Sequence, residues 1–199
     1  MIALPPHAPG MRIGLYGGSF NPPHAAHLMV SKTALRRLGL DRVWWLVTPG
    51  NPLKPRADLK PLGERLELSG KLIDDTRISA TGLEAELGTH FTVDTVGALQ
   101  RLCPDVRFVW LMGADNLAQF GRWRDWRTLA ARVPFAVIDR PGFTHRALRG
   151  KAALALSKHR IDESDAGLLA DLVPPAWTFL HGPRSSLSST AIRAKTSRK

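Results

Sequence analysis

The sequence predicts an α/β fold, in which a parallel sheet carries helices on both faces within a single domain. Short apolar segments alternate along the chain with segments whose apolar residues recur at helical spacing. This alternation is typical of a doubly wound parallel sheet, which binds ligands outside the carboxyl ends of its strands. The chain has 199 residues, enough to bury one good core, whereas two domains would each be small.

Six apolar segments are predicted to be strands. They lie at residues 12–17, 42–47, 77–81, 107–112, 134–139 and 177–180. Helices are predicted where apolar residues recur on one helical face: Val30, Ala34 and Leu38 before Gly39; Leu62, Leu66 and Ile73 after Pro61; Val93, Val96, Leu99 and Cys103 before Pro104.

Both ends of the chain are expected to lie outside this fold. Residues 1–10 contain three prolines and neither a basic region nor a long apolar run, so we expect a flexible extension rather than a secretory signal. The domain is then predicted to span residues 11–195. Residues 196–199 form a basic tail, which is expected to be solvated.

The chain is strongly basic, with 28 Lys and Arg against 17 Asp and Glu and a net charge of +11. Such a charge attracts polyanions, so a nucleic-acid-binding protein is one alternative. The basic residues are nevertheless scattered over the predicted helices rather than interleaved with aromatic residues. Steering of small anionic substrates explains the charge, and no nucleic-acid partner is expected.

Cysteine usage and hydropathy indicate a cytoplasmic protein without a membrane partner. The single cysteine, Cys103, excludes an internal disulfide and is typical of a reducing compartment. No apolar run approaches the roughly 20 residues that a bilayer-spanning helix needs.

Residues 17–27, with the sequence GGSFNPPHAAH, follow the first predicted strand and precede a predicted helix. Gly17 and Gly18 allow the backbone to approach a ligand closely. Asn21 and Pro22 resemble an N-cap followed by proline at the first helical position. Since the N–H groups and dipole of a helix N-terminus favour an anion, the segment predicts a phosphate-binding turn.

His24 and His27 are three residues apart and would lie on one face of this helix. No cysteine or carboxylate stands nearby at ligand spacing, so phosphate binding is favoured over a zinc site. The chain contains no G-x-x-x-x-G-K-[ST], G-x-G-x-x-G or G-x-S-x-G motif. A Walker loop, a dinucleotide-binding fingerprint and a nucleophilic serine elbow are therefore not expected.

A second segment, Leu187-Ser188-Ser189-Thr190-Ala191-Ile192-Arg193, lies near the end of the chain. Ser188 or Ser189 can cap a short helix whose amides face an anion. The guanidinium of Arg193 can reach the same helix N-terminus and donate two hydrogen bonds to phosphate oxygens. The alternative is a capped terminal helix with a solvated arginine.

Together the two segments resemble the G-x-F-x-P-x-H-x-x-H and I-S-x-T-x-I-R motifs of the nucleotidyltransferases related to class I aminoacyl-tRNA synthetases. The resemblance implies a Rossmann-like fold in which the histidine pair contacts the phosphates of a nucleoside triphosphate. It implies catalytic roles for His24, His27 and Arg193. The ATP-binding residues that the two motifs imply are Gly17, Gly18, Ser19, Phe20, Ser188, Ser189 and Thr190. Between the motifs, Gly113 and Asp115 resemble the family's G-x-D segment at the ATP ribose, and Arg140 begins an Arg-Pro-Gly sequence that matches its R-P-G turn, so these three are also implied to bind ATP.

Segments between these motifs are similar to those of one branch, the nicotinate-nucleotide adenylyltransferases. Lys54 matches the end of that family's Pro-His-Lys loop, although Leu53 stands in place of the histidine. Phe91 and Thr92 begin a segment similar to the Y-T-x-x-T of the pyridine pocket. Trp123 occupies the position of an aromatic residue that stacks on the pyridine.

The resemblance implies adenylyl transfer from ATP to nicotinate mononucleotide in NAD biosynthesis, giving nicotinate adenine dinucleotide and pyrophosphate. The acceptor phosphate is already an anionic nucleophile, so alignment and charge stabilisation are expected to supply the catalysis. His24 and His27 would neutralise the α-phosphate and the developing charge, while Lys54 and Arg193 hold the triphosphate. Mg²⁺ would arrive with ATP, held mainly by substrate and water, without a dedicated protein metal site.

Alternatives remain open within and beyond this chemistry. A related transferase would use nicotinamide mononucleotide or phosphopantetheine, and a nucleic-acid-binding protein would keep the fold for its charge. A homo-oligomer is compatible with the sequence.

Overall fold

One parallel sheet forms the centre of the computed structural model, which describes residues 2–50, 59–182, 185 and 187–196. Its strands are β1 (Arg12–Gly18), β2 (Arg42–Val47), β3 (Ile78–Thr81), β4 (Arg107–Gly113), β5 (Phe135–Ile138) and β6 (Trp177–Leu180). Their order is β3-β2-β1-β4-β5-β6, and every neighbouring pair is parallel. The predicted doubly wound sheet is confirmed, and each strand bound lies within one residue of its predicted position.

Helices fill the connections between the strands. They are α1 (Ala25–Arg37), α2 (Leu62–Leu72), α3 (Leu83–Glu86), α4 (Thr92–Leu102), α5 (Ala114–Phe120), α6 (Trp126–Arg132), α7 (Thr144–Leu148), α8 (Lys151–Ala155) and α9 (Ser189–Thr196), with 3₁₀ helices at Ser157–His159 and Glu163–Asp171. The three predicted helices correspond to α1, α2 and α4, whose C-caps are Leu38, Ile73 and Cys103. Within the described ranges, no helix is long and apolar enough to cross a membrane.

Two hydrophobic layers cover the two faces of the sheet. Successive side chains of a strand point to opposite faces, so Trp44 of β2 packs in one layer and Trp45 in the other. Helices α3 to α8 contribute to the layer that contains Trp44, whereas α1, α2 and the second 3₁₀ helix contribute to the layer that contains Trp45. Burial on both faces explains why the central strands β2 and β4 are apolar over almost their whole length.

The strand order reverses between β1 and β4, which are adjacent in the sheet. In open α/β sheets the connections from two such strands leave on opposite faces, which opens a crevice at their carboxyl ends. The predicted phosphate turn follows β1, and α5 begins directly after Gly113 of β4. The fold therefore places both segments at this crevice.

The N-terminal segment differs from its prediction. Ile2 and Leu4 are partly buried against the hydrophobic layer that contains Trp44. The ring of His7 lies edge-on to the Trp44 indole, with a centroid distance of 5.9 Å. The prediction of a flexible extension is therefore wrong for residues 2–10, because their apolar side chains cover part of the core. At the other end, α9 extends to Thr196, and residues 197–199 of the predicted basic tail lie outside the described residues.

Candidate active site

Two cavities lie at the carboxyl ends of β1 and β4, on either side of the turn that follows β1. The first, here called the histidine cavity, contains His24 and His27 and has a volume of about 400 Å³. The second, the tryptophan cavity, contains Trp110 and Trp123 and has a volume of about 280 Å³. The two cavities share the residues Gly17, Gly18, Ser19 and Asn116.

Five described chain segments that are far apart in sequence meet in the histidine cavity. They are the turn after β1, the segment before α2, the start of α5, the end of β5 and the start of α9. The predicted residues that line it are Gly17, Gly18, Ser19, His24, His27, Gly113, Asp115, Arg140, Ser188, Ser189, Thr190 and Arg193. Tyr16, Asn21, Leu59 and Asn116 also line it and were not predicted. Lys54 and Leu53 lie outside the described residues.

The two histidines form the start of α1. His24 is the N-cap residue, and its backbone N–H donates to Nδ1 of His27 at 3.1 Å. The centroids of the two rings are 3.8 Å apart. The helix therefore begins at Ala25, and the prediction that Asn21 caps it is wrong. The Asn21–Pro22 peptide bond is cis, and the buried Asn21 side chain accepts a hydrogen bond from the backbone of Lys60 at 3.4 Å.

Both histidines are neutral at pH 7 in the ligand-free protein. Burial, with the positive charge of Arg140, lowers the pKa of His24 to about 4. Burial, then His24 and Arg140, lowers the pKa of His27 to about 3. Because Nδ1 of His27 accepts a hydrogen bond, its ring proton lies on Nε2, which is a donor.

The buried Nδ1 of His24 has no hydrogen-bond partner within the part of the chain that the structure describes. A buried polar atom without a partner is costly, so a ligand that supplies one is favoured there.

An ion pair joins the opposite wall of the histidine cavity. Arg140 Nη1 lies 3.0 Å from Oδ2 of Asp115, and Arg140 Nη2 donates to the carbonyl oxygen of Leu187 at 2.7 Å. Arg140 thereby connects the end of β5 with α5 and with the segment before α9. A Cβ at Gly113 would lie 2.5 Å from Oδ1 of Asp115 and 3.0 Å from Cδ of Arg140, so a larger residue there would displace the ion pair.

The second sequence segment packs directly on the turn after β1. Ser188 lies just before α9, and its carbonyl accepts the backbone N–H of Ile192 at 3.0 Å, as at a cap position. The hydroxyl of Ser189 instead donates to the carbonyl of Pro22 at 2.9 Å. Arg193 donates from Nη1 to the carbonyl of Asn21 at 2.5 Å. Arg193 therefore holds the turn backbone and lines the cavity at the same time.

The tryptophan cavity brings together the three residues that were predicted to bind the mononucleotide: Phe91, Thr92 and Trp123. Phe91 is the N-cap of α4 and Thr92 its first residue, so the helix N-terminus lies at the cavity wall. The Trp123 ring is held edge-on by Trp110, at a centroid distance of 6.2 Å, and by Phe120 at 5.4 Å.

Several residues of the tryptophan cavity were not found by sequence reasoning: Thr48, Glu84, His90, Trp110, Arg122 and Arg124. Glu84 is buried at the start of α3, where burial raises the pKa of its carboxyl and hydrogen bonds with Thr48 and Thr95 lower it. In the sequence, Glu84 could have been found only by its position, because it lies just beyond the carboxyl end of β3. The guanidinium of Arg124 lies 4.4 Å from the centre of the Phe91 ring.

Two residues of the turn have roles different from those predicted. The side chain of Phe20 is 1% exposed and stacks on Trp45 at a centroid distance of 4.8 Å, so its ring is part of the core and does not line either cavity. A Cβ at Gly17 would lie 2.6 Å from the Trp110 indole. Gly17 is therefore needed to admit this tryptophan, rather than only to let a ligand approach.

The fold and the paired cavities define a nucleotide-binding α/β protein, and a family model described as cytidylyltransferase-like matches residues 15–195. A relative from Rhizobium meliloti, named "Probable nicotinate-nucleotide adenylyltransferase", is 56% identical over 187 residues, covering 94% of this chain and 100% of the relative. A relative of the same name from Methylorubrum extorquens is 58% identical, covering 93% of this chain and 100% of the relative.

A solved structure with the same fold is the Plasmodium falciparum nicotinic acid mononucleotide adenylyltransferase complexed with NaAD. Its TM-score is 0.71 at 20% identity, and the match covers 92% of this chain and 83% of that one. The chain belongs to the nicotinate-nucleotide adenylyltransferases, within the cytidylyltransferase-like family.

Proposed function

We propose that this protein transfers the adenylyl group of ATP to nicotinate mononucleotide and releases pyrophosphate. The observation that carries the proposal is the pair of cavities that share Gly17, Gly18 and Ser19. A triphosphate in the histidine cavity and a mononucleotide in the tryptophan cavity would meet at this turn.

The transfer balances without a covalent enzyme intermediate. A phosphate oxygen of the mononucleotide attacks the α-phosphorus of ATP, the new P–O bond forms, and the bond from the α-phosphorus to the bridging oxygen breaks. The electron pair leaves with pyrophosphate. Since the nucleophile is already an anion, holding the reactants in line is the main task, and alignment is worth up to about 7–11 kcal/mol.

The histidines would act first as hydrogen-bond donors. Nε2–H of His27 and the N-terminal amides of α1 are suited to the charge that develops on phosphate oxygens. A bound triphosphate also raises the pKa of a neighbouring imidazole, because negative charge favours the protonated ring. The pair would then gain positive charge only when ATP is present, with Arg193 and Lys54 completing the triphosphate site.

We propose that Mg²⁺ enters with ATP and is held mainly by its phosphates and by water. Within the described ranges, no group of three or more His, Cys, Asp or Glu residues could hold a metal ion. Mg²⁺ commonly binds through substrate phosphates and water, so such a cluster is not required. When bound it would offset the negative charge of the triphosphate and of pyrophosphate.

The tryptophan cavity supports a preference for the acid over the amide. The amides of Phe91 and Thr92 stand at the N-terminus of α4, an 11-residue helix whose dipole favours a negative group. A nicotinate carboxylate accepts from such N–H groups with both oxygens, whereas the NH₂ group of nicotinamide opposes them. Trp123 would stack on the pyridinium, and this stacking would contribute roughly 0.5–2 kcal/mol to the binding free energy.

Pyrophosphate release from ATP, measured against nicotinate mononucleotide, nicotinamide mononucleotide and phosphopantetheine, tests the proposal. Release is expected to be fastest with nicotinate mononucleotide. Equal rates with the amide would contradict the carboxylate pocket, and no release with any acceptor would refute adenylyl transfer.

A further inference from the structure

Arg65 on α2 is a fully buried guanidinium, with 1% of the residue exposed. Its Nη1 donates to the carbonyl of Ser19 at 2.8 Å and to the carbonyl of Thr48 at 2.7 Å. Its Nε donates to the carbonyl of Lys60 at 2.8 Å. A buried charge is tolerated only when its hydrogen bonds are satisfied, so these carbonyls hold Arg65 in one position.

Each residue whose carbonyl accepts from Arg65 either belongs to the turn between the two cavities or donates a backbone hydrogen bond to it. Ser19 lines both cavities, and Thr48 lines the tryptophan cavity. The backbone N–H of Thr48 also donates to the carbonyl of Gly18 at 3.0 Å. The backbone N–H of Lys60 donates to the side chain of Asn21. One guanidinium therefore connects the end of β2 and the start of α2 to the turn.

The turn contains a residue in the left-handed region of backbone conformation. Phe20 has a φ of +46°, which is unfavourable for a residue with a Cβ and persists only where its surroundings enforce it. The Ser19–Phe20 peptide bond is trans and planar, so a Ser19 carbonyl directed at Arg65 places the Phe20 N–H on the opposite side. Arg65 thereby sets the orientation of the Ser19–Phe20 peptide, and Ser19 lines both cavities.

We propose that Arg65 is a positioning residue for the adenylyl transfer proposed above, on which this inference rests. It aligns the turn with Thr48, so that an acceptor in the tryptophan cavity faces the α-phosphate in the histidine cavity. Arg65 acts through the backbone of the turn and lies outside the lining of both cavities.

Two substitutions test this role, Arg65→Lys and Arg65→Met. Lysine keeps the charge but lacks the planar fork that serves carbonyls in several directions, and methionine removes the donors altogether. A misplacement of about 1 Å costs on the order of 100-fold in rate. We therefore expect kcat to fall about 10-fold with lysine and about 100-fold with methionine, with each KM changing less than about 3-fold.

Ser69→Ala is the matched control. Ser69 is buried one turn further along α2, and its hydroxyl donates to the Arg65 carbonyl at 2.7 Å, a hydrogen bond within the helix. It should lower the unfolding midpoint while leaving kcat unchanged. An arginine with a merely structural role would behave in the same way, so wild-type kcat in folded Arg65→Lys would overturn the proposal.

Amide spectra provide a readout that does not depend on activity. The backbone amide resonances of Gly18, Ser19 and Phe20 should shift in Arg65→Lys and stay in place in Ser69→Ala. If these resonances shift in Arg65→Lys but the wild-type protein transfers no adenylyl group, the proposed function is refuted and the anchoring role of Arg65 is supported. Unshifted resonances would refute the anchor itself.

Discussion

Acidification is expected to destabilise this protein through His24 and His27. Their pKa values lie at about 4 and about 3 in the folded chain, below the ordinary value of 6.5. Above pH 6.5 both states are neutral, and the pair contributes no pH dependence. As the pH falls below 6.5 the unfolded chain binds protons that the folded chain does not, so stability is lost progressively towards pH 4.

The size of the effect follows from these values. Each pH unit below 6.5 costs about 1.36 kcal/mol for each histidine that stays neutral. At pH 5 this amounts to about 2 kcal/mol for each ring and about 4 kcal/mol for the pair. That is a large fraction of the roughly 5–15 kcal/mol that stabilises a typical domain. The acid group Asp75, whose pKa is lowered to about 2 by Arg77, contributes only at lower pH.

Urea unfolding at pH 7 and pH 5 measures this difference. His24→Gln and His27→Gln should each reduce the loss of stability between the two pH values by about 2 kcal/mol, since glutamine does not titrate. His145→Gln is the control, because its side chain on α7 is exposed to water. If His24→Gln or His27→Gln lost as much unfolding free energy between pH 7 and pH 5 as the wild type, burial would not keep that histidine neutral.

Three further predictions concern the ligand contacts and the chain terminus. Trp123→Ala should raise the KM for nicotinate mononucleotide about 3-fold to 30-fold with a smaller effect on ATP, and an unchanged KM in steady-state kinetics would remove Trp123 from the site. Arg193→Lys should lower kcat/KM for ATP by about 10-fold or more despite the retained charge, and wild-type kinetics would leave Arg193 with no part in ATP use. A chain that begins at Met11 should lose about 1–3 kcal/mol of stability in urea unfolding while retaining kcat, because Ile2 and Leu4 no longer cover the core; an unchanged midpoint would show that the segment does not stabilise the fold.

Local patterns in the sequence were enough to predict the strands and the first site segments. The apolar runs of β1, β2 and β4 encode strands in six or seven residues each, because burial on both faces leaves little freedom of composition. The two histidines of the GGSFNPPHAAH segment are three residues apart. Residues at this spacing lie close together at a helix N-terminus, so their proximity does not depend on which residue is the N-cap. The sequence therefore placed both histidines at the start of α1, where the structure has them, even though it misplaced the helix N-cap at Asn21.

Only the tertiary structure decided which side chains these segments contact. Gly17 admits Trp110, and the Phe20 ring stacks on Trp45, partners that lie far away in the sequence. Arg65 and Glu84 carry no local motif, and their importance comes from carbonyls and hydroxyls supplied by other elements. Burial, which keeps the histidines neutral, is likewise a property of the assembled chain. Periodicity and turn chemistry act between near neighbours, whereas desolvation and long-range hydrogen bonds exist only after the chain has folded.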